Sequence, residues 1–534
     1  MKINKLLYAV LFAAVVLLQG CQDLTEHPKA TLTPDSYYST PQELEGTIAA
    51  MYRVLCPDDA WGYIFNMPSY FGADDLSTHP ASNKSSVREF DKLEGSSTNG
   101  NLNAFWNSSW KAIYQANAIL LVIDNVTFSS ETEKNGAAGQ AYFMRALCYF
   151  YLVRTFGDIP VVTEETDVSE APDRQTVASI YEQIIADLSQ AETGLPESWA
   201  GQPGKPTRYA AKALLADVYL NMAGWPVNDQ SKYALSATKS NEVIASGKYK
   251  LVPSYGDVFK TNNNEESIFG LQFNTAQGLA RRTPGQFCIP DDEYSLAGEQ
   301  GWHDFCTEVA FFQNAPKCER TDDTFLTTLK IRQRDRDNNW TDEFKLVAWD
   351  DLSTNTQHPW FKKFRYGVAP RGTTMGDGCE EDETKIFKMS PSVDKSLDII
   401  RYATVLLNYA EASAMASAPT AASYDAINQV RHRAGLPDLS PGLSQTAFRD
   451  AVVYERAYEC AAEVGIRWFD IVRLQLLPKI IAERVVGEWQ KNQYWENSLN
   501  PTFTSGDKLQ TRYLAPIPQD EMNRNKHWKQ NAGY

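Results

Sequence analysis

The sequence predicts a mainly α-helical protein of degenerate tetratricopeptide-like helix pairs, with an irregular, loop-rich portion set among them. Three observations carry this reading. Apolar residues recur at helical spacing through most of 105–246 and again through 394–475. The run AAKALLADVYL from Ala210 to Leu220 supplies small residues that let neighbouring helices approach closely. Between Ser246 and about Ser390 the helical period fades, and Gly, Pro, Asp and Asn become frequent. A strict repeat of about 34 residues is missing, so the repeat is degenerate.

The chain opens on a segment that does not belong to the fold. Lys2 and Lys5 precede an apolar run from Leu6 to Leu18, closed by LQGC at Cys21. The run is shorter than the roughly 20 residues of a membrane-spanning helix and matches a signal-peptide core. A small residue directly before a cysteine fits a lipoprotein signal, cut before Cys21, whose thiol then carries lipid. A plain secretory signal with an incidental cysteine and an ordinary buried N-terminal helix are the alternatives. Residues 1–20 are therefore set aside, and the mature chain works on a tether outside the cytoplasm. The remaining length allows about three domains or one large helical assembly.

Taken in order, Gln22 to Tyr38 is polar and proline-broken, a tether and docking segment. Pro41 opens a helix with Leu44, Ile48, Met51, Tyr52 and Leu55 at helical spacing. Gly62 to Asn103 reads as a long irregular loop, and a loop of that length usually has a use. Helices follow at Phe105–Val126, Gly136–Phe156, 173–192, 207–223 and 229–246, with Thr207 as a cap and Gly157 to Pro160 as a stop. The segment from Ser267 to Phe273 is strand-like. Helices return at Asp394–Met415, Ser423–Arg433, Ser444–Val464 and Trp468–Gln475. The tail is extended around Leu514 to Pro518.

Composition excludes several functions. Without Lys2 and Lys5 the chain has 49 basic against 67 acidic residues, which argues against a nucleic-acid partner. No HExxH, Gly-x-Ser-x-Gly, Gly-x-Gly-x-x-Gly or Walker motif occurs, and six histidines leave few candidates for a histidine triad. A zinc site is not expected, because no CxxC pair exists and His303 lacks a spaced partner. No cofactor or metal is expected. The stretch from Asp335 to Asn339 resembles a calcium loop, but Trp340 and Leu346 stand where its glycine and terminal glutamate belong. One or two disulfides among Cys288, Cys306, Cys318 and Cys379 are allowed by an oxidising compartment; Cys148 and Cys460 sit in helical patterns and read as buried. With 13 Trp, 26 Tyr and 24 Phe, aromatic side chains are numerous enough to supply stacking platforms as well as core.

Five groups of residues share an order with a known family. They are ALCYFYLVRTFGDIP from Ala146 to Pro160; YAEA from Tyr409 with INQVRHRAG from Ile427 to Gly435; YERAYE from Tyr454 with GIRWFDIVR from Gly465 to Arg473; LAPIPQDEMN from Leu514 to Asn523; and QNAGY from Gln530 to Tyr534. The signal ending at Cys21 and YYSTPQEL from Tyr37 to Leu44 also fit. Together they resemble the SusD/RagB family, nutrient-binding outer-membrane lipoproteins of the Bacteroidetes. The sequence departs from the family's double-arginine pattern at Glu455-Arg456-Ala457.

The resemblance implies four tetratricopeptide-like helix pairs in an α–α superhelix, with an irregular portion packed against them. It implies a signal peptide over 1–20, a tether over 21–40 and a single SusD-like domain over 41–534. Within that domain the scaffold covers about 41–245 and 394–475, the binding loops about 246–390, and a C-terminal segment about 489–534. It further implies cell-surface capture of glycan and delivery to a TonB-dependent, SusC-like transporter, without catalysis, by a protein held on the outer membrane through Cys21. Peptide uptake on the same scaffold and glycoside hydrolysis are the alternatives.

Glu411, Arg431, Glu455, Arg456, Glu459, Arg467, Asp470 and Arg473 lie on or beside apolar helices, where charges must pair, so they read as scaffold. The candidate ligand contacts lie elsewhere: Trp61 and Tyr63, Asp74 and Asp75 in the first long loop, and Trp302 and Trp360 in the irregular region. Carboxylates would orient sugar hydroxyls and aromatic faces would stack on the apolar side of a pyranose.

Overall fold

The computed structural model describes residues 38–62, 72–78, 82–167, 172–287, 302, 304–351, 358–365, 392–483 and 507–534. Helix α1 (Pro41–Arg53) starts on a capping box, in which the Thr40 hydroxyl and the Glu43 carboxylate satisfy each other's backbone N–H groups. Leu44, Ile48 and Met51 are its buried stripe. The loop that follows is less irregular than expected. It contains strand β1 (Leu76–Thr78) and helix α2 (Ser85–Asp91).

The scaffold is a succession of capped helices. Asn99 caps α3 (Gly100–Val122), Ser130 caps α4 (Glu131–Phe156), Thr176 caps α5 (Val177–Gly194) and Thr207 caps α6 (Arg208–Met222). Helix α7 (Lys232–Ala245) ends this half. Helix α3 begins five residues before Phe105 because the Asn99 side chain accepts the N–H groups of Asn101 and Leu102. The expected small-residue contact is present: Ala210, Ala211, Ala213 and Ala216 are all buried. At Gly139 an added Cβ would lie 2.9 Å from Leu195, so α4 and the end of α5 approach at glycine distance.

After the irregular portion the scaffold resumes with α8 (Tyr402–Ala416), α9 (Ala421–Arg433), α10 (Gln445–Glu459) and α11 (Ile466–Arg473). Helices α3 to α8 pack in succession, and α8 also packs on α9 and α10, which completes four tetratricopeptide-like pairs. Two boundaries differ from the periodicity. Residues 397–401, read as helix, form strand β8 (Leu397–Arg401) against β2 (Ser267–Leu271), antiparallel. Their side chains satisfy either period over so short a run, and the partner strand decides. Helix α10 stops at Glu459 and not at Val464, because Ala462, Val464 and Gly465 all take positive φ. Gly465 (φ +80°) meets this at no steric cost.

The irregular portion is a set of two-stranded antiparallel pairs. Strand β1 pairs with β3 (Phe305–Thr307), β4 (Phe325–Leu326) with β7 (Trp360–Phe361), and β5 (Thr328–Arg334) with β6 (Trp340–Ala348). The calcium-like stretch is the β5–β6 hairpin turn. Asp335 Oδ1 accepts the backbone N–H groups of Asp337 and Asn339, and that geometry explains the Asp and Asn content. One apolar core runs from Leu44 to Trp528. No described helix is long and apolar enough to cross a membrane.

Charge joins the irregular portion to the helices. Glu459, at the end of α10, is fully buried and bonded by three guanidinium groups. Arg320 comes from the irregular portion (3.1 Å), Arg401 from the end of β8 (3.1 Å) and Arg433 from the end of α9. Around them Arg320 donates to Glu455 (2.6 Å), Arg433 to Glu266 (2.9 Å), and Arg401 and Lys363 to Glu463 (2.8 and 2.7 Å). A second buried cluster joins Arg473 to Glu411 on two bonds (2.6 and 2.8 Å), with Arg456 and Asp470 completing it. Arg431 bonds Glu455 at 2.9 Å. Glu411, Arg431, Glu455, Arg456, Glu459, Asp470 and Arg473 are therefore scaffold, as the sequence indicates.

Burial alone would raise the Glu459 carboxyl, but Arg433, Arg401 and Arg320 hold it down at about 2, against 4.5 for an ordinary glutamate. The unfolded chain takes up this proton first as pH falls, so the contribution is complete above 4.5 and is lost toward 2. Glu459→Gln leaves three buried guanidinium groups short of charge and is expected to cost about 3–5 kcal/mol at neutral pH. Denaturant unfolding checks this; a loss below about 1 kcal/mol contradicts it. The variant's stability should also fall less steeply than the wild type's between pH 4.5 and about 2.

Candidate functional site

A cleft of about 540 Å³ opens between residues 72–74, 91 and 93, residues 308–314 and the outer side of α10 to α12, where α12 is Leu477–Glu483. Its other side is closed by the same helix that carries Glu459. Residues 450, 453, 454, 457 and 458 of α10 line it, which is one helical face, while 455, 456 and 459 point into the charge clusters. Another cavity, of about 50 Å³ around Arg154 and Asp217, has room only for a water or two.

The walls are apolar and the rim polar. Leu93, Phe311, Val453, Ala457, Tyr458 and Ile480 are buried wall residues. Tyr454 stands at the rim, 44% exposed. Its ring leans on Tyr458 (centroids 4.8 Å apart), and Tyr458 in turn stacks on Phe311 at 4.4 Å. The Tyr454 hydroxyl donates to the Asn314 carbonyl at 2.7 Å, and the Tyr458 hydroxyl to the Phe311 carbonyl at 3.0 Å. Both rings are thus fixed before any ligand arrives.

Asp74 enters from a turn that only glycine can make. Gly72 has φ +91°, and a Cβ there would lie 2.2 Å from the Leu93 side chain. Arg467 of α11 grips Asp74 on two parallel bonds (2.5 and 2.6 Å). Asp75 is turned beneath the surface, where its Oδ2 accepts the Ala462 N–H at 2.6 Å. The two acids together fasten the first loop to the strained α10–α11 reversal. Burial pushes the Asp75 carboxyl up to about 7, partly offset by that N–H.

Of the sequence-chosen contacts, Asp74 lines this cleft, and Asp75 lies beside it as a structural staple. Two choices are corrected. Trp61 is wholly buried between Phe105 (5.6 Å) and Tyr151 (4.8 Å), with its indole N–H on Ser109. Trp360 is wholly buried in β7, against His358 (4.6 Å). Neither offers a face to a ligand, because each large apolar surface stabilises more by filling the core. Trp302 is half-buried with the Arg282 guanidinium 5.6 Å from its ring. Tyr63 lies outside the described residues. Cys148 and Cys460 are buried as expected; Cys306 is also buried and Cys318 half-buried, while Cys288 and Cys379 lie outside the described residues. No cluster able to hold a metal occurs among the described residues.

Tyr454, Tyr458, Phe311 and Asn314 were missed. Tyr454 sits in the YERAYE segment, whose charged neighbours mark it as scaffold. The signal was available in the helical phase, since Tyr454 and Tyr458 fall one turn apart on the side away from Glu455 and Glu459.

Residues 322–534 match the family model described as "SusD family", and residues 30–220 match one described as "Starch-binding associating with outer membrane". The chain belongs to the SusD/RagB family. SusD-like protein P2 of Formosa agariphila is 27% identical over 556 aligned positions, covering 99% of both chains. A SusD homologue from Bacteroides thetaiotaomicron superposes with a TM-score of 0.76 at 23% identity, over 94% of this chain and 98% of that one. Surface glycan-binding protein A from the same organism, in complex with laminarihexaose, gives 0.69 at 20% identity, over 93% and 100%. In SusD terms, the departure at Ala457 lies in the cleft wall.

The Asp75 geometry has a pH signature. The unfolded chain ionises this group near 3.8 and the folded chain near 7, so between those values rising pH removes stability. Asp75→Asn keeps the carbonyl acceptor for Ala462 and lacks the proton. Its stability relative to wild type is expected to improve by about 1–3 kcal/mol between pH 5 and 8. Melting curves across that range check this, and parallel pH profiles contradict it.

Proposed function

We propose that this SusD-family chain is a cell-surface lipoprotein, held on the outer membrane by lipid on Cys21. It captures oligosaccharide or polysaccharide and delivers it to a TonB-dependent, SusC-like transporter. The mature chain acts as one SusD-like domain from residue 41 on, with 21–40 as its tether. The single observation that carries the reading is a full-length structural relative holding laminarihexaose, matched over 93% of this chain. The description "Starch-binding associating with outer membrane" over 30–220 supports the location.

The cleft suits capture more than turnover. Glycoside hydrolysis needs two carboxyl groups facing each other across a sugar. Asp74 has both oxygens on Arg467, and Asp75 is committed to the Ala462 backbone. A rigid aromatic at the rim of an apolar cleft binds a sugar face without chemistry. Trp302 is a second candidate contact, on the loop side. Weak affinity for a short sugar is acceptable, because a long chain engages repeatedly and the transporter encloses it.

The mature protein should bind an oligosaccharide by calorimetry while chromatography shows the sugar intact. Cleavage that disappears in Asp74→Asn would overturn the non-catalytic reading. Cys21→Ala should shift the protein from the membrane fraction to the soluble fraction; unchanged membrane retention contradicts the anchor.

A further inference from the structure

Each cation of the cleft already has a carboxylate beside it. Among the described lining residues, Arg467 holds Asp74 on two bonds, Arg449 holds Asp450 at 2.7 Å, and Lys479 faces Glu483 at 3.9 Å. Asp91 and Glu308 bring the carboxylates to five against three cations. Ala457 adds only a methyl group to the wall. An anionic sugar entering here meets no cation in excess of the carboxylates. To take the two N–H groups that hold Asp74 it must displace that carboxylate, which leaves one anion beside another.

Uncharged hydroxyls meet no such barrier. Each donates and accepts, so it can use the lone pairs and N–H groups that the paired side chains leave over. Tyr454 is held on one edge by Asn314 and backed by Tyr458, so stacking a sugar on it costs little ordering. Leu93, Val453 and Ile480 match the C–H face of a pyranose.

The geometry points to a cleft selective for uncharged oligosaccharides, with Tyr454 as the stacking platform and with uronate-bearing and sulfated chains turned away. This rests on the glycan-capture reading and narrows it.

Calorimetry on the mature chain tests it with neutral hexaoses of glucose, mannose, xylose and galactose beside a galacturonate hexamer. At least one neutral hexaose should bind, and galacturonate should bind at least tenfold more weakly. Tyr454→Ala should weaken the neutral ligand at least tenfold while the protein still unfolds in one cooperative transition, and Tyr454→Phe should restore most of the binding. Asp450→Asn combined with Glu483→Gln, both at exposed positions, releases Arg449 and Lys479 and should strengthen galacturonate binding at least fivefold. Wild-type binding of galacturonate as tight as any neutral hexaose overturns the selectivity while leaving glycan capture standing. Full binding by Tyr454→Ala overturns the platform. Binding of no glycan at all overturns both readings.

Discussion

The Glu459 carboxylate is the point through which the two halves of the molecule are held together. Its three guanidinium partners arrive from a short segment of the irregular portion, from the end of a strand and from the end of α9. Each brings a cation that burial penalises and that only a buried anion stabilises. No apolar contact would set their relative positions so narrowly, because dispersion is non-directional while forked N–H groups are not. The apolar core gives bulk stability, and the charge cluster fixes which arrangement of strands and helices that core adopts.

The same constraint orients the cleft. Helix α10 turns Glu455, Arg456 and Glu459 toward the buried clusters and Tyr454, Ala457 and Tyr458 toward the opening. Fixing one face of a helix fixes the other. Asp74 and Asp75 extend the device, since they fasten the first loop to Arg467 and to the reversal that follows α10. A rim built on one rigid helix is ordered before any ligand arrives.

Much of the fold was legible because helices announce themselves in period and cap. Thr207 and the Pro41 start appear where the sequence places them, whereas Ser130 starts α4 at Glu131, five residues ahead of the Gly136 that the apolar period marks. Strand β8 was not legible, since five residues satisfy either period and pairing with β2 lies more than a hundred residues away in sequence. The site was less legible than the fold. Trp61 and Trp360 look like platforms in sequence, but a loop-region tryptophan can equally be core, and tertiary packing alone decides. Tyr454 was hidden by charged neighbours that belong to the opposite face of its helix. Asp74 does line the candidate cleft, although its bidentate hold on Arg467, 393 residues away, has no sequence signal.

Helix α10, locked by Glu459, carries the face proposed to hold glycan. A crystal structure of the mature protein with a bound neutral hexaose tests that proposal most directly. The expected result is a sugar ring stacked on Tyr454, with hydroxyls reaching the Asp74–Arg467 pair. A sugar bound only at the Trp302 loops, with the cleft filled by water, would contradict it.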